Sequence, residues 1–185
     1  MRLLWVWFLA VMAFPIAQSA HPASPAGAGH PGHWNGPLKG VLNQLDWVGN
    51  RRAKESDLAG QVVVVEFWAF QCVNCQRSLP AVRQLSARYR DSDVRLIGIH
   101  TPELPDERVA DNVTKAVARD SIDFPVALDP DGEAWEAIGN QYWPCFYVLD
   151  RAGKVSYKHV GELHQGTPGW DEFVKRIEAA RAASS

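Results

Sequence analysis

The sequence predicts an α/β domain in which a central mixed sheet is flanked by helices. The first observation is the nearly continuous β-branched and apolar run Val62 to Trp68, which is typical of a strand covered on both faces. The second is an apolar stripe at helical spacing directly after it: Leu79, Val82, Leu85 and Tyr89. The third is that strand-like and helix-like segments continue to alternate towards the C-terminus.

The downstream elements follow from the same patterns. They are a buried strand at 94–100, a helix around 109–117, a short strand at 124–128, a short helix at 133–138, and strands at 146–150 and 155–159. Residues 151–154 contain Gly153 and charged side chains, which marks a hairpin turn between the last two strands. The C-terminal helix has its own start signal, because Thr167 can cap it and Pro168 suits its first position.

Two segments precede the central strand. Residues 45–48 and 58–60 suggest a short N-terminal hairpin. There is no internal repeat and no sign of a second domain, so the globular domain is assigned to residues 38–185.

Length and charge limit the function classes. The chain has 185 residues, with 19 Lys and Arg against 21 Asp and Glu, so its formal net charge is -2. No strongly basic face is implied, and nucleic acid is not an expected partner. A domain of roughly 150 residues buries close to 70% of its unfolded surface and needs no disulfide scaffold. The three cysteines are therefore interpreted by their chemistry.

The N-terminus resembles an export signal. Arg2 is followed by the apolar run Leu3 to Ala17, which predicts a secretory signal peptide over residues 1–19. The alternative is an uncleaved membrane anchor, although the run is interrupted by Pro15 and is shorter than the roughly 18 to 20 residues that span a bilayer. Residues 20–37 are rich in Pro, Gly and His and predict a flexible tether. Either interpretation places the domain in an extracytoplasmic space such as the periplasm.

The chemistry is expected at Cys72-Val73-Asn74-Cys75, where the central strand gives way to a helix. Two thiolates at this spacing can hold zinc or close a small disulfide. Zinc would need two further ligands, and the remaining cysteine, Cys145, stands alone. A helix N-terminus favours a thiolate, so Cys72 is the expected nucleophile and Cys75 the resolving thiol. A purely structural disulfide is the alternative, although so short a loop contributes little stabilisation.

Three segments resemble the thioredoxin superfamily, and more narrowly the exported TlpA/ResA-like thiol-disulfide oxidoreductases and the C-terminal domain of DipZ-like proteins. They are EFWAFQCVNCQRSLP at 66–80, IGIHTPE at 97–103 and NQYWP at 140–144. The resemblance implies a thioredoxin fold. It also implies that residues 101–140 form the additional helix and strand of the TlpA-like branch.

The same resemblance assigns further roles. Trp143-Pro144 matches the family's cis-proline, whose loop is expected beside the first cysteine and whose backbone is expected to pair with an extended substrate segment. Glu66 matches the buried acid beneath the disulfide, and burial would raise its pKa and suit it to exchanging protons with Cys75. The alternative is an edge carboxylate that faces solvent.

Two features depart from the family's pattern. Val73-Asn74 replaces the Gly-Pro of thioredoxin, so the direction of electron flow cannot be carried over. Cys145 follows the proposed cis-proline directly, where a buried strand cysteine is favoured over a third reactive thiol. His100 and Glu103 lie near the site by their place at a strand end, and packing or capping roles are favoured for both.

The sequence thus predicts an extracytoplasmic thiol-disulfide oxidoreductase that reduces protein disulfides, as TlpA/ResA relatives do in cytochrome c maturation or in general redox homeostasis. The redox-active disulfide Cys72–Cys75 would serve without an organic cofactor or a metal. Electrons would come from a membrane thiol-disulfide carrier. The alternative is a copper- or haem-handling chaperone on the same fold, with the two cysteines and His159 or His164 as ligands.

Overall fold

A computed structural model describes residues 35–183. The predicted signal peptide and most of the predicted tether therefore lie outside the described residues. The elements in chain order are β1 (Asp46–Trp47), α1 (Glu55–Leu58), β2 (Val62–Trp68), α2 (Val73–Tyr89), β3 (Val94–His100), a 3-10 turn (Pro105–Arg108), α3 (Ala110–Arg119), β4 (Val126–Leu128), α4 (Glu133–Ala137), β5 (Cys145–Leu149), β6 (Val155–Val160) and α5 (Pro168–Ala182). Within 35–183, none of the helices has the length and apolarity to cross a membrane.

The six strands form one mixed sheet in the order β1-β4-β3-β2-β5-β6. Strand β3 runs parallel to both β2 and β4. Strands β5 and β6 continue the sheet as an antiparallel hairpin beside β2. The predicted fold class is confirmed. The structure also contains the additional helix and strand (α3 and β4) between β3 and the loop that carries Pro144, residues 138–144, called the proline loop below.

Strand β2 is buried along its whole length and separates two apolar layers. The side chains of Val62, Val64 and Trp68 pack into a layer with α2, α3 and α5. Those of Val63, Val65 and Phe67 pack into a second layer with residues 38–45, α1 and α4. Because side chains alternate along a strand, Glu66 belongs to the layer that contains α2.

The two long helices begin where the sequence indicates. Cys72 is the N-cap of α2, and Pro80 lies inside that helix. At the start of α5, the Thr167 hydroxyl accepts a hydrogen bond from the Trp170 N–H, and Pro168 occupies the first turn. Residue type at the cap therefore determines where each of these helices starts.

The predicted N-terminal hairpin is wrong. Strand β1 pairs with β4 at the sheet edge and not with residues 58–60. Residues 55–58 form the short helix α1, because Glu55 and Asp57 supply negative charge in its first turn and Gly60, with a φ of 74°, allows the chain to turn after it.

Residues 35 and 36 lie against the turn between β5 and β6. The Asn35 N–H donates to the Ala152 carbonyl at 2.8 Å. A Cβ added to Gly36 would overlap the Gly153 carbonyl, so only glycine allows this close approach of two backbones. The chain therefore joins the domain at the end of the sheet where β2 begins.

Candidate active site

The redox loop, residues 69–72, connects β2 to α2 and carries the first cysteine. Cys72 and Cys75 form a disulfide with their Cα atoms 5.2 Å apart. The Cys75 N–H also donates to Cys72 Sγ at 3.2 Å. The first sulfur thus occupies the capping position at the start of a 17-residue helix, where unpaired N–H groups and the helix dipole favour negative charge.

Both cysteines are buried in this oxidised state. The intervening side chain of Val73 is 61% exposed. Burial alone therefore does not distinguish the two sulfurs. What distinguishes them is the helix, because Cys72 caps it and Cys75 lies one turn inside.

Glu66 lies in the middle of β2, between Gly98 of β3 and Phe146 of β5. It shares the apolar layer that includes Cys72 and Cys75. Burial raises the pKa of its carboxyl to about 8, which leaves the group protonated and neutral at pH 7. The alternative of a solvent-facing edge carboxylate is thereby contradicted.

The proline loop reaches the redox loop through the pairing of β2 with β5. Cys145 lies opposite Phe67, so the preceding Trp143 and Pro144 stand beside the end of β2. The Trp143–Pro144 bond is cis. Pro144 is buried, whereas the neighbouring Tyr142 is 53% exposed.

Trp143 is fixed by two contacts. Its indole Nε1–H donates to the Thr101 carbonyl at 3.0 Å. Its ring packs on that of Trp135, with ring centroids 4.1 Å apart. The Pro144 carbonyl in turn accepts a hydrogen bond from the Gly161 N–H at 3.0 Å. The loop next to the disulfide is therefore held by the residue after β3, by α4 and by the residue after β6.

Two side chains from outside the redox loop hold its backbone. The Phe70 N–H donates to His100 Nε2 at 3.3 Å, and the Gln71 N–H donates to Glu107 Oε1 at 2.7 Å. Burial lowers the pKa of His100 to about 4, so the ring is neutral and can accept this bond at pH 7. Glu103, which the sequence placed near the site, is exposed.

Sequence reasoning missed Glu107. A signal was present, because Pro105 begins the 3-10 turn and an acid two residues later lies at the position that caps such a turn. The bond to Gln71 has no comparable signal, since any residue type except proline supplies a backbone N–H.

Cys145 lies on the opposite face of the sheet from the disulfide. It is free and fully buried, in the layer that contains Phe67 and Tyr147. Burial raises the pKa of its thiol, which disfavours the reactive thiolate. The interpretation of Cys145 as a core residue is confirmed.

Cys145 is accordingly expected to resist alkylation in the native protein and to react only on unfolding. Peptide mapping after iodoacetamide treatment, with and without urea, measures this directly. The oxidised protein should contain only the Cys72–Cys75 bond. A substantial Cys72–Cys145 species would contradict the assignment.

No cluster of three or more His, Cys, Asp or Glu side chains suited to a metal ion occurs among residues 35–183. His159 Nε2 lies 3.0 Å from the Glu162 carbonyl, and His164 Nε2 lies 2.6 Å from a Glu162 carboxylate oxygen. Both imidazoles proposed as alternative ligands therefore contact the same residue, Glu162.

Residues 48–173, which include Cys72 and Cys75, match the Redoxin family. The chain belongs to this family. Within it, the chain is 41% identical over 125 residues to Protein DipZ of Mycobacterium tuberculosis (strain CDC 1551 / Oshkosh). That match covers 68% of this chain and 18% of DipZ, so the chain corresponds to less than a fifth of that relative's length.

Solved structures share the Redoxin fold seen here. A putative thiol:disulfide interchange protein DsbE from Chlorobium tepidum aligns with a TM-score of 0.61 and 29% identity, covering 74% of this chain and 92% of that one. A thiol-disulfide isomerase from Corynebacterium glutamicum aligns with a TM-score of 0.66 and 22% identity, covering 75% and 92%. The predicted thioredoxin-superfamily membership is confirmed at the level of the family.

Proposed function

We propose that this chain is an extracytoplasmic thiol-disulfide oxidoreductase that reduces disulfides of protein substrates. The observation that carries the proposal is Cys72 at the cap of α2, bonded to Cys75 and accepting the Cys75 N–H. When the pair is reduced, that N–H and the helix dipole favour a thiolate on Cys72.

The proposed reaction transfers two electrons from the cysteine pair to the substrate. The Cys72 thiolate attacks one sulfur of the substrate disulfide, which forms a mixed disulfide and releases the other sulfur as a thiolate. Cys75 then loses its proton and attacks Cys72 Sγ. This second step releases the remaining substrate sulfur and leaves the Cys72–Cys75 disulfide, while the substrate's two thiolates take up two protons.

Glu66 is proposed to accept the proton that Cys75 must lose when its carboxyl is ionised, which with a pKa of about 8 holds for roughly a tenth of the molecules at pH 7. A carboxyl with a pKa of about 8 is close to the ordinary thiol value of about 8.5, so the proton moves between them at little cost. Its place in the apolar layer that contains both cysteines supports this role.

The surface around the disulfide supports an extended protein segment as the substrate. Val73 at the start of α2, Tyr142 just before Trp143 and Leu104 just before the 3-10 turn are exposed apolar side chains on the segments around the sulfurs. Trp143 and Pro144 are proposed to bind the substrate backbone between them. Apolar side chains on the substrate would cover these residues on binding.

Electrons are proposed to come from a membrane thiol-disulfide carrier, and cytochrome c maturation or general redox homeostasis is the proposed context. The apolar run at residues 3–17 supports an extracytoplasmic location, with a membrane anchor as the alternative to a cleaved signal. The similarity to the putative thiol:disulfide interchange protein DsbE, at 29% identity, supports disulfide exchange as the activity.

The direction of electron flow is tested by the reduction potential. The oxidised and reduced protein are equilibrated with glutathione and separated after alkylation. A reductant should give a value more negative than about -200 mV, on the thioredoxin side of the scale. A value near about -120 mV, typical of a strong oxidant, would contradict the proposed direction.

A further inference from the structure

Glu107 joins two loops through one buried carboxylate. The residue is only 1% exposed and lies in the 3-10 turn after β3. Its Oε1 accepts the Gln71 N–H at 2.7 Å. Its Oε2 accepts the N–H groups of Glu103 and Leu104 at 2.7 Å and 2.8 Å. The residue immediately before Cys72 is therefore tied to a segment more than thirty positions away.

This arrangement fits an ionised carboxylate. Three backbone donors point at its two oxygens, and a protonated acid would direct its own O–H against one of them. The bonds to Glu103 and Leu104 are sufficient to cap the turn. The bond to Gln71 adds nothing to that turn, and a second bond, from Gln71 Nε2 to Asp106 at 2.7 Å, reinforces the same connection.

The carboxylate lies close enough to Cys72 to act on its charge. The Gln71 N–H is 2.7 Å from Glu107, and successive Cα atoms are about 3.8 Å apart, so the Cys72 sulfur lies within roughly 11 Å. Because Glu107 and Cys72 are both buried, their charges at that distance are screened less by solvent than those of exposed groups.

Several other titratable side chains surround the redox loop and the first turn of α2. Glu66 and His100 are both neutral at pH 7, given pKa values of about 8 and about 4. The exposed Asp106 accepts a hydrogen bond from the Gln71 side chain, and the buried Asp120 accepts one from the Gln76 side chain and pairs with Arg119. Glu107 differs from all four because its carboxylate is buried and bonded to the backbone next to the nucleophile.

We propose that Glu107 is a positioning residue for the redox reaction: it fixes the backbone before Cys72, and its negative charge disfavours the Cys72 thiolate. The second effect opposes that of the helix N-terminus. Destabilising the thiolate destabilises the reduced pair, which makes the couple a stronger reductant. The inference rests on the proposed function only in taking Cys72 as the attacking sulfur.

The test compares Glu107→Gln with Asp129→Asn in the full chain. Asp129 is the matched control, because it is also buried and accepts two backbone N–H groups, from Ala134 and Trp135, without contacting the redox loop. The reduced proteins are alkylated with iodoacetamide between pH 5 and 10, and the rate at Cys72 is followed by peptide mapping.

Glu107→Gln is expected to move the alkylation profile of Cys72 to lower pH by about 0.5 to 1 unit and, because the thiolate's nucleophilicity falls with its pKa, to increase the rate at pH 7 by about two- to fourfold. Asp129→Asn should leave the profile unchanged. Equal profiles for the two variants would overturn the proposal. The readout needs no protein substrate, so a failure to reduce protein disulfides would contradict the proposed function without affecting this result.

Glu107→Asp is the second variant. If Glu107→Gln does not fold, Glu107→Asp still tests the positioning role of Glu107. It keeps the charge and shortens the side chain by one methylene, so all three hydrogen bonds cannot be kept. We expect alkylation of Cys72 at pH 7 within twofold of the unchanged protein. Hydrogen exchange of the Gln71 amide should be at least tenfold faster, while the Ala134 and Trp135 amides keep their rates. An unchanged Gln71 amide would overturn the positioning role.

Discussion

Replacing Cys72 with serine is expected to lower the rate of insulin disulfide reduction by on the order of a thousandfold or more. The serine hydroxyl can still cap α2, so the fold is retained, but it does not ionise near neutral pH and cannot form the mixed disulfide. The measurement is the turbidity of reduced insulin with dithiothreitol as electron donor. Activity that survives in this variant would contradict the mechanism.

The control for this experiment is Cys145→Ser, which removes the third thiol from the far face of the sheet. The rate of insulin reduction by Cys145→Ser should stay within about twofold of the unchanged protein, because Cys145 takes no part in the proposed exchange.

Cys75→Ser tests the second step of the proposed reaction. In this variant Cys72 still attacks the substrate disulfide, but no thiol is present at position 75 to release the substrate. A stable mixed disulfide between Cys72 and the substrate should therefore accumulate.

Glu66→Gln is expected to change how stability depends on pH. The folded-state pKa of Glu66 is about 8, against an ordinary value of 4.5, so the folded protein binds more protons between these values. Its contribution to stability is therefore fully present below about pH 4.5 and is lost as pH rises through 8. At about 1.4 kcal/mol per pKa unit, the loss is on the order of several kcal/mol.

The glutamine variant does not ionise and should keep its stability through this range. Urea unfolding of the oxidised proteins at pH 5, 7 and 9 measures the difference, and Glu103→Gln, which removes an exposed acid, is the control. If Glu66→Gln and the unchanged protein lose stability in parallel, Glu66 is not the buried acid described here. The same variant should also alter the pH profile of disulfide exchange, because Cys75 loses its proposed proton acceptor.

Much of the fold and the core of the candidate site could be predicted from local sequence. The run Val62 to Trp68 identifies the central strand because only a strand buried on both faces has so few polar residues. The cysteine pair follows that strand directly, so its place at a helix start needs no tertiary information. Thr167 and Pro168 fix the start of α5 in the same local way.

What could not be predicted depends on contacts between distant segments. Residues 46 and 47 are strand-like, but nothing near them in sequence shows that their partner is β4, about eighty positions later. Glu107 was missed for a related reason. Its partners are backbone N–H groups, which every residue except proline carries. The bond to Gln71 therefore requires no particular residue type that the sequence could reveal.

Asn35 and Gly36 pack beside the turn after β5, at the end of the domain opposite the disulfide. That turn adjoins the start of β2, whereas the redox loop follows its end. At about 3.3 Å per residue, the seven residues of β2 separate this turn from the redox loop by roughly 20 Å. Residue 35 therefore lies at the opposite end of β2 from the redox loop. A substrate that binds at the redox loop therefore contacts the end of the domain farthest from residue 35.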